Sequence, residues 1–437
     1  MKVQDNIGLI SWSLADKGLY MLYGFVLVFM MNILEPAELG YWALFIGLHT
    51  WIFVIADAFA LQNIIQFGAK HEDRPKVNLY SLFLLVITAI GATIIIYLVR
   101  YPLSHLFNEV KLLDIAAVLP VFALIFIPRT LCIKIAYRDH NMKRLFFINF
   151  FFFIPMAAAA LVFYFEKGMI DFTDMLWIYL IGSALSSAAA LILSRKNLVF
   201  GRQSDITMKK MINFGVPLAV FNSVHTIPKQ LDYYVLVVFF NPEMVGIYYS
   251  AKTLFRVFEE IFNAGFGLVY PAAVRQVVKK NYSELNALMT KSVSFLFISF
   301  AIVVIILELG ASEIMIDLLL PPRYQDAIGQ FNILILAAFG LPFVTLASII
   351  FADGKPAAVS VRATIASALA MITFFIVGYT GATELMPLGM VIFTSVSGLL
   401  YLIYVKKHFG FPVRQIFRAI PDTKNYVISY WKKFRNK

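Results

Sequence analysis

Glu35-Pro36-Ala37-Glu38-Leu39-Gly40-Tyr41-Trp42 recurs later in the chain as Asn241-Pro242-Glu243-Met244-Val245-Gly246-Ile247-Tyr248. Each copy sets a proline at a tight turn between apolar runs, a glycine four residues on, and an aromatic two residues after the glycine. The offset is 206 residues, close to half of the 437-residue chain, and at the same offset Asp57-Ala58 falls on Asn263-Ala264. A repeat of this period predicts two similar halves. If each half crosses a membrane an even number of times, both keep the same orientation and are related by an axis along the membrane normal.

Composition supports the membrane reading. The chain is 60% hydrophobic, holds 42 Phe and is only 14% charged, against about 45–50% apolar and about 25% charged residues in a soluble domain. A span needs about 20 predominantly apolar residues. Twelve stretches qualify, near 9–34, 39–61, 78–99, 112–136, 145–165, 174–194, 212–240, 244–273, 288–309, 327–352, 357–379 and 385–405. The seventh is the most diluted, by Asn222, His225, Lys229 and Asp232.

The expected fold is an all-α polytopic membrane protein. Its twelve transmembrane helices would form two six-helix lobes related by a pseudo-twofold axis along the membrane normal. Residues 1–200 would make the N-terminal lobe, 201–408 the C-terminal lobe, and 409–437 a basic, aromatic cytoplasmic tail. That tail mixes Phe411, Tyr426, Tyr430 and Trp431 with Arg414, Arg418, Lys432, Lys433 and Arg435. It suits the inner headgroup layer, or serves as basic ballast.

Loop charges set the orientation. The N-terminus, the loops on its side and the tail carry 27 Lys and Arg, whereas the opposite loops carry 4, namely Arg100, Lys111, Lys167 and Arg323. An excess of Lys and Arg marks the cytoplasmic side, so both termini are expected there. The apolar run at the N-terminus is interrupted by Asp16-Lys17 and lacks an Ala-x-Ala site, so it reads as a retained span. The net charge of +11 sits at span ends and in no nucleic-acid-binding motif, which argues against a nucleic-acid partner.

Five cations interrupt the spans themselves: Lys17, Arg129, Lys229, Lys252 and Arg256. A cation at the bilayer centre costs roughly 2.5–3.5 kcal/mol on insertion scales, so it normally faces protein or a wet cavity. Together they predict a cationic chamber for an anionic cargo. Helical spacing puts Lys252, Arg256, Glu259 or Glu260, and Asn263 on one face, and Asn222, His225, Lys229 and Asp232 on another. Each member also has a plainer role. Lys229–Asp232 and Lys252–Glu259 or Glu260 are within reach of neutralising each other, Arg129 of bonding carbonyls freed by Pro128, and Lys17 of snorkelling to the surface. Asp57 and Asp232 are the candidate coupling carboxylates. Asp57 would either take up a proton or cation reversibly, or counter Lys17 at the inner mouth.

Enzyme chemistry finds little support. The chain has no Walker loop, no His-Glu-x-x-His, no Cys/His cluster and no nucleotide-binding glycine fingerprint. The lone Cys132 excludes an intramolecular disulfide and a Cys-based metal cage. The stretch from Gly68 to Lys76, which includes Asp73-Arg74-Pro75, resembles the loop signature of the major facilitator transporters. It has one residue too many between Gly68 and Asp73 and lacks the second glycine, so the match is read as a coincidence of a basic cytoplasmic loop.

Leu34, Pro36, Gly40, Tyr41 and Trp42, with an acidic residue near the end of the second span, form one motif. It resembles the opening of bacterial polysaccharide-unit (O-antigen type) flippases. These belong to the MATE-like multidrug/oligosaccharidyl-lipid/polysaccharide exporter superfamily. Asp232-Tyr233-Tyr234 and Val245-Gly246-Ile247-Tyr248-Tyr249-Ser250-Ala251 are similar to the start of their second half. Two features depart from the pattern. The family's Asp-x-Gly reads Asp57-Ala58-Phe59 here, and where lipid II flippases carry arginines in span one this chain has only Lys17.

The resemblance implies translocation of an undecaprenyl-pyrophosphate-linked oligosaccharide from the inner to the outer leaflet, by alternating access. It places the protein in the bacterial inner membrane, serving surface polysaccharide or lipopolysaccharide synthesis. It also implies lipid-linked oligosaccharide and membrane lipids as partners, together with a polysaccharide polymerase and a chain-length regulator. No cofactor is implied beyond a coupling proton or sodium ion. Lys17, Arg129, Lys229, Lys252 and Arg256 would contact the pyrophosphate, which several fixed cations suit. The alternatives are a cation-coupled multidrug exporter, which would favour a carboxylate-dominated chamber, a polysaccharide polymerase or ligase, which would need a large outward loop, and a membrane scaffold.

Overall fold

A computed structural model of the protein describes residues 7–416, apart from the side chains of Ile7, Leu9, Ile10 and Leu268. Most of the tail expected at 409–437 therefore lies outside the described residues. Those that are described fold into helices, with only an isolated bridge between Leu34 and Ile170. A bilayer offers no water to satisfy backbone donors, so helices that bond internally are one of the few spanning solutions.

The helices are α1 (Ile7–Asn32), α2 (Pro36–Phe67), α3 (Arg74–Leu98), α4 (Leu112–Arg138), α5 (Met142–Lys167) and α6 (Phe172–Ser194). They continue as α7 (Met208–Gln230), α8 (Pro242–Val278), α9 (Tyr282–Leu319), α10 (Ala327–Ala352), α11 (Pro356–Thr380) and α12 (Leu388–Phe409). Among the described residues, ten helices are long and apolar enough to cross a membrane. The other two in this series, α7 and α8, hold the polar stripes. The expected seventh span is broken at Leu231, beyond Pro228, and resumes as the short helix Asp232–Phe239. An interior proline removes a ladder bond, which explains a break there.

Local chemistry sets the helix starts. Pro36 opens α2 and Pro242 opens α8, where the missing amide hydrogen costs nothing. Asn141 caps α5, Thr207 caps α7, and Asp171 with Asp174 forms a reciprocal cap on α6. Glu38 Oε2 accepts from Phe172 N at 2.8 Å, which ties the start of α2 to the start of α6.

The chain divides into two compact units, Met1–Tyr249 and Ser250–Lys437. That boundary follows packing and falls within α8, whereas a division near residue 200 follows the span count. In the first unit α1 packs on α5, α5 and α4 on α6, α3 on α4, and α2 on α7. Its core is aromatic. Trp42, Phe45 and His49 of α2 meet Phe122 and Phe126 of α4, Phe152 of α5 and Tyr179 of α6, with ring separations such as 4.9 Å for Phe45–Phe122 and 5.4 Å for Trp42–Tyr179. In the second unit α11 packs on α12, and α10 on α12 and α9.

The two copies of the repeated turn touch inside the first unit. A Cβ placed on Gly40 would overlap the Pro242 carbonyl, and one placed on Gly246 would overlap the Pro36 carbonyl. Each glycine thus sits against the proline of the other copy. Such an exchange of roles is what a local twofold relation produces.

Candidate functional site

The π-turn Asp57–Leu61 interrupts α2 in its second half. Such turns leave carbonyls short of donors and are frequent at functional sites. Here the buried Asn63 compensates, its Nδ2 donating to Phe59 O at 2.9 Å and Ala60 O at 3.2 Å. Gly215 of α7 packs directly on the Phe59 backbone, so α7 closes over the turn.

Asp57 begins this turn and binds two partners. Lys134 Nζ of α4 lies 2.7 Å from Oδ1, and Gln62 Nε2 donates to Oδ2 at 2.8 Å. The Lys134 and Asp57 side chains are 14% and 34% exposed, so the pair lies near the surface of the unit without being freely solvated. The structure therefore gives Asp57 a cation on α4 in place of the expected counter-charge Lys17. Lys17 is exposed on α1, its Nζ 5.4 Å from the Tyr20 ring centre.

Arg129 occupies a second, deeper polar site. Its Nε donates to Ser186 Oγ of α6 at 3.0 Å and its Nη2 to Asn149 Oδ1 of α5 at 2.6 Å. Asn149 Nδ2 donates onward to Asp16 Oδ1 of α1 at 2.7 Å. Ser186 in turn donates to Ile148 O at 2.7 Å. The guanidinium also stacks near Phe152 and Phe126, 4.3 and 5.0 Å from their ring centres. Arg129, Asp16 and Asn149 are all buried, so the chain crosses four helices with its charge compensated at the far end. A buried charge is tolerated only when partners replace water, and these do. Its donors reach side chains, which differs from the carbonyl-bonding role expected after Pro128.

The other candidates sit on α7, the short helix and α8. Lys229 is half-buried near the end of α7, and Asp232 is fully buried at the start of the short helix. Asp232 Oδ2 accepts from Tyr248 Oη at 2.9 Å, which ties that helix to the start of α8. Lys252 and Arg256 belong to the second unit, one turn apart on α8, the first buried and the second half-buried. The first unit thus holds Lys17, Asp57, Arg129, Lys229 and Asp232. It brings Arg129 together with Asp16, the neighbour of Lys17.

Lys134 is the residue that sequence reasoning passed over. It lies inside the fourth apolar stretch and belongs neither to the loop cations nor to the five intramembrane ones, although it is one of the 37 Lys and Arg. A residue-by-residue accounting of the cations would have found it. Chemically, these sites offer fixed positive charge, carboxylates held by cations and hydrogen-bond donors, and aromatic walls. Among the described residues no three His, Cys, Asp or Glu gather to hold a metal ion.

Residues 29–329 match the family described as polysaccharide biosynthesis protein. No curated protein sequence matches the chain significantly. Among solved structures, an inward-facing multidrug resistance MATE family transporter of the MOP superfamily aligns with a TM-score of 0.76 at 14% identity, over 91% of this chain and 98% of that one. The lipid II flippase MurJ in an inward closed conformation aligns with a TM-score of 0.71 at 14% identity, over 97% and 93%. A MOP superfamily transporter from Pyrococcus furiosus, whose binding pocket is described as reversed in polarity, gives 0.66 at 13% identity, over 92% and 95%. At such identities the likeness establishes the fold.

Proposed function

The chain belongs to the polysaccharide biosynthesis protein family, and from that premise we propose that it is a flippase for a lipid-linked oligosaccharide. The cargo would be an undecaprenyl-pyrophosphate-linked repeat unit, moved from the cytoplasmic to the outer leaflet of the bacterial inner membrane by alternating access. The observation that carries this reading is the set of cations held within the helices of such a chain, Arg129, Lys134, Lys229, Lys252 and Arg256. A pyrophosphate is the part of that cargo they suit, because charge-assisted hydrogen bonds to phosphate strengthen where water is scarce.

Roles within the set differ. Arg129 is already engaged by Ser186 and Asn149, so it shapes the wall more than it meets cargo. Lys134 is bound by the Asp57 carboxylate, a contact a phosphate is able to replace. Lys252, Arg256 and Lys229, on the polar stripes of α7 and α8, are the principal cargo cations in this reading, with Lys17 at the exposed edge. Asp57 and Asp232 are the coupling candidates, the ion being a proton or sodium. The basic side of the loops would be cytoplasmic, and a polymerase and chain-length regulator would be the partners that follow it. The activity is transport rather than catalysis.

Reconstitution in proteoliposomes with a fluorescent undecaprenyl-pyrophosphate oligosaccharide tests the reading. The label should become accessible to an external quencher faster than in protein-free vesicles. Ethidium transport with no lipid translocation would favour the multidrug exporter and overturn the assignment.

A further inference from the structure

Asp139, at the C-terminal end of α4, is surrounded by three arginines. Arg138 Nε lies 3.1 Å away, Arg144 Nη1 3.6 Å and Arg74 Nη1 3.7 Å. Side-chain exposure is only 3% for Arg138, 10% for Asp139, 11% for Arg144 and 20% for Arg74. The remaining acceptors of these guanidinium groups are neutral. Arg138 donates to Asn78 Oδ1 and Arg144 to Asn197 Oδ1, each at 2.9 Å, and Arg74 to Gly68 O at 3.3 Å. The nearby acids are engaged elsewhere, Asp73 with the Ser204 hydroxyl and Glu72 with exposed Lys70. Three arginines thus share one carboxylate, Asp139, in a poorly hydrated place.

An open groove of about 290 Å³ borders this cluster, between α1 and the start of α5, lined by Trp12, Asp139, His140, Asn141 and Lys143 among others. Lys143 is exposed at its mouth, with Nζ 5.7 Å from the Trp12 ring centre. Trp12 packs on Phe146 and Phe147 at 5.2 and 5.7 Å, which continues the groove as an aromatic surface along α5. Lys143 and Asp139 make the polar end of the groove, with the arginines behind Asp139, and Trp12 makes its apolar wall. Tryptophan marks the headgroup level, and basic pockets between membrane helices bind anionic headgroups.

We propose that this groove binds an anionic phospholipid of the leaflet facing the basic loops. Its phosphate sits between Lys143 and the arginine cluster, and its acyl chain lies along Trp12, Phe146 and Phe147. The lipid supplies the missing negative charge. A free phosphate would satisfy the cations but not the aromatic floor. The site is separate from the cations assigned to cargo.

The full-length protein, delipidated in detergent, is titrated with dioleoylphosphatidylglycerol, dioleoylphosphatidylcholine or inorganic phosphate, and bound lipid is counted by native mass spectrometry. Phosphatidylglycerol should bind at least about fivefold better than phosphatidylcholine, and Lys143→Glu should reduce that binding about tenfold, in line with the attraction per basic residue at a membrane surface. Thermal unfolding of lipid-free Lys143→Glu should match the wild type, since the side chain is exposed. Equal binding of the two lipids, unchanged binding in Lys143→Glu, or displacement of the lipid by millimolar inorganic phosphate would each overturn the proposal.

Discussion

Lys134 Nζ lies 2.7 Å from the Asp57 carboxylate, joining α4 to the π-turn of α2. A charge pair placed there couples two events. Whatever neutralises one member leaves the other to find a new partner, at a helix turn that already departs from regular geometry.

The pair should be visible as non-additivity in stability. Lys134→Met or Asp57→Asn alone should cost about 1–2 kcal/mol, because each strands a partly desolvated charge. The double variant should recover most of that loss, which denaturant unfolding in detergent micelles measures as a cycle. Additive effects would mean that the two side chains do not interact.

Transport distinguishes Asp57 as a coupling residue from Asp57 as a structural one. Asp57→Asn keeps the shape and should abolish uphill translocation driven by an ion gradient in proteoliposomes, while cargo still binds. If the gradient dependence survives, Asp57 has no part in coupling.

Arg129 and the α8 cations should separate cleanly. Arg129→Ala removes the donors that Ser186 and Asn149 accept from, and should lower folded yield by an amount corresponding to about 3 kcal/mol. Lys252→Ala and Arg256→Ala should leave the protein in the membrane and reduce transport, with Arg256→Lys retaining part of it. A lysine is a point charge where arginine offers a planar fork, so the swap is only partly conservative. Wild-type translocation by the double alanine variant would remove these two residues from cargo binding.

Gly40→Ala and Gly246→Ala should each destabilise by about 1–3 kcal/mol, since the new methyl meets a backbone carbonyl that cannot swing aside. The two losses should be similar. Gly91→Ala, inside α3 and meeting nothing within 4 Å, is the control and should leave the unfolding temperature unchanged or slightly raised.

Helices were the legible part of this chain. Long apolar runs located them, and the polar residues of the seventh stretch marked it as the most diluted. The break at Leu231 was hidden because Pro228 is tolerated in membrane helices. Pairings across helices were not legible. Lys134 and Asp57 are 77 positions apart, and no periodicity links residues on different helices. The same holds for Arg129, whose partners Ser186 and Asn149 are ordinary polar residues in apolar runs. The Gly68–Lys76 loop shows the converse. Its match to a transporter signature was imperfect, yet Arg74 and Asp73 anchor the loop to Asp139 and Ser204.

The reciprocal seat of Gly40 on Pro242 and of Gly246 on Pro36 is made entirely of backbone. An alanine scan, which works by deletion, therefore has nothing there to delete. Replacing either glycine by alanine is an addition, and its effect reads as obstruction rather than loss of function. Screens that rank positions by the chemistry of their side chains will score both glycines as blank. Where two copies of a turn meet through bare backbone, importance is measured by what the site refuses to accept.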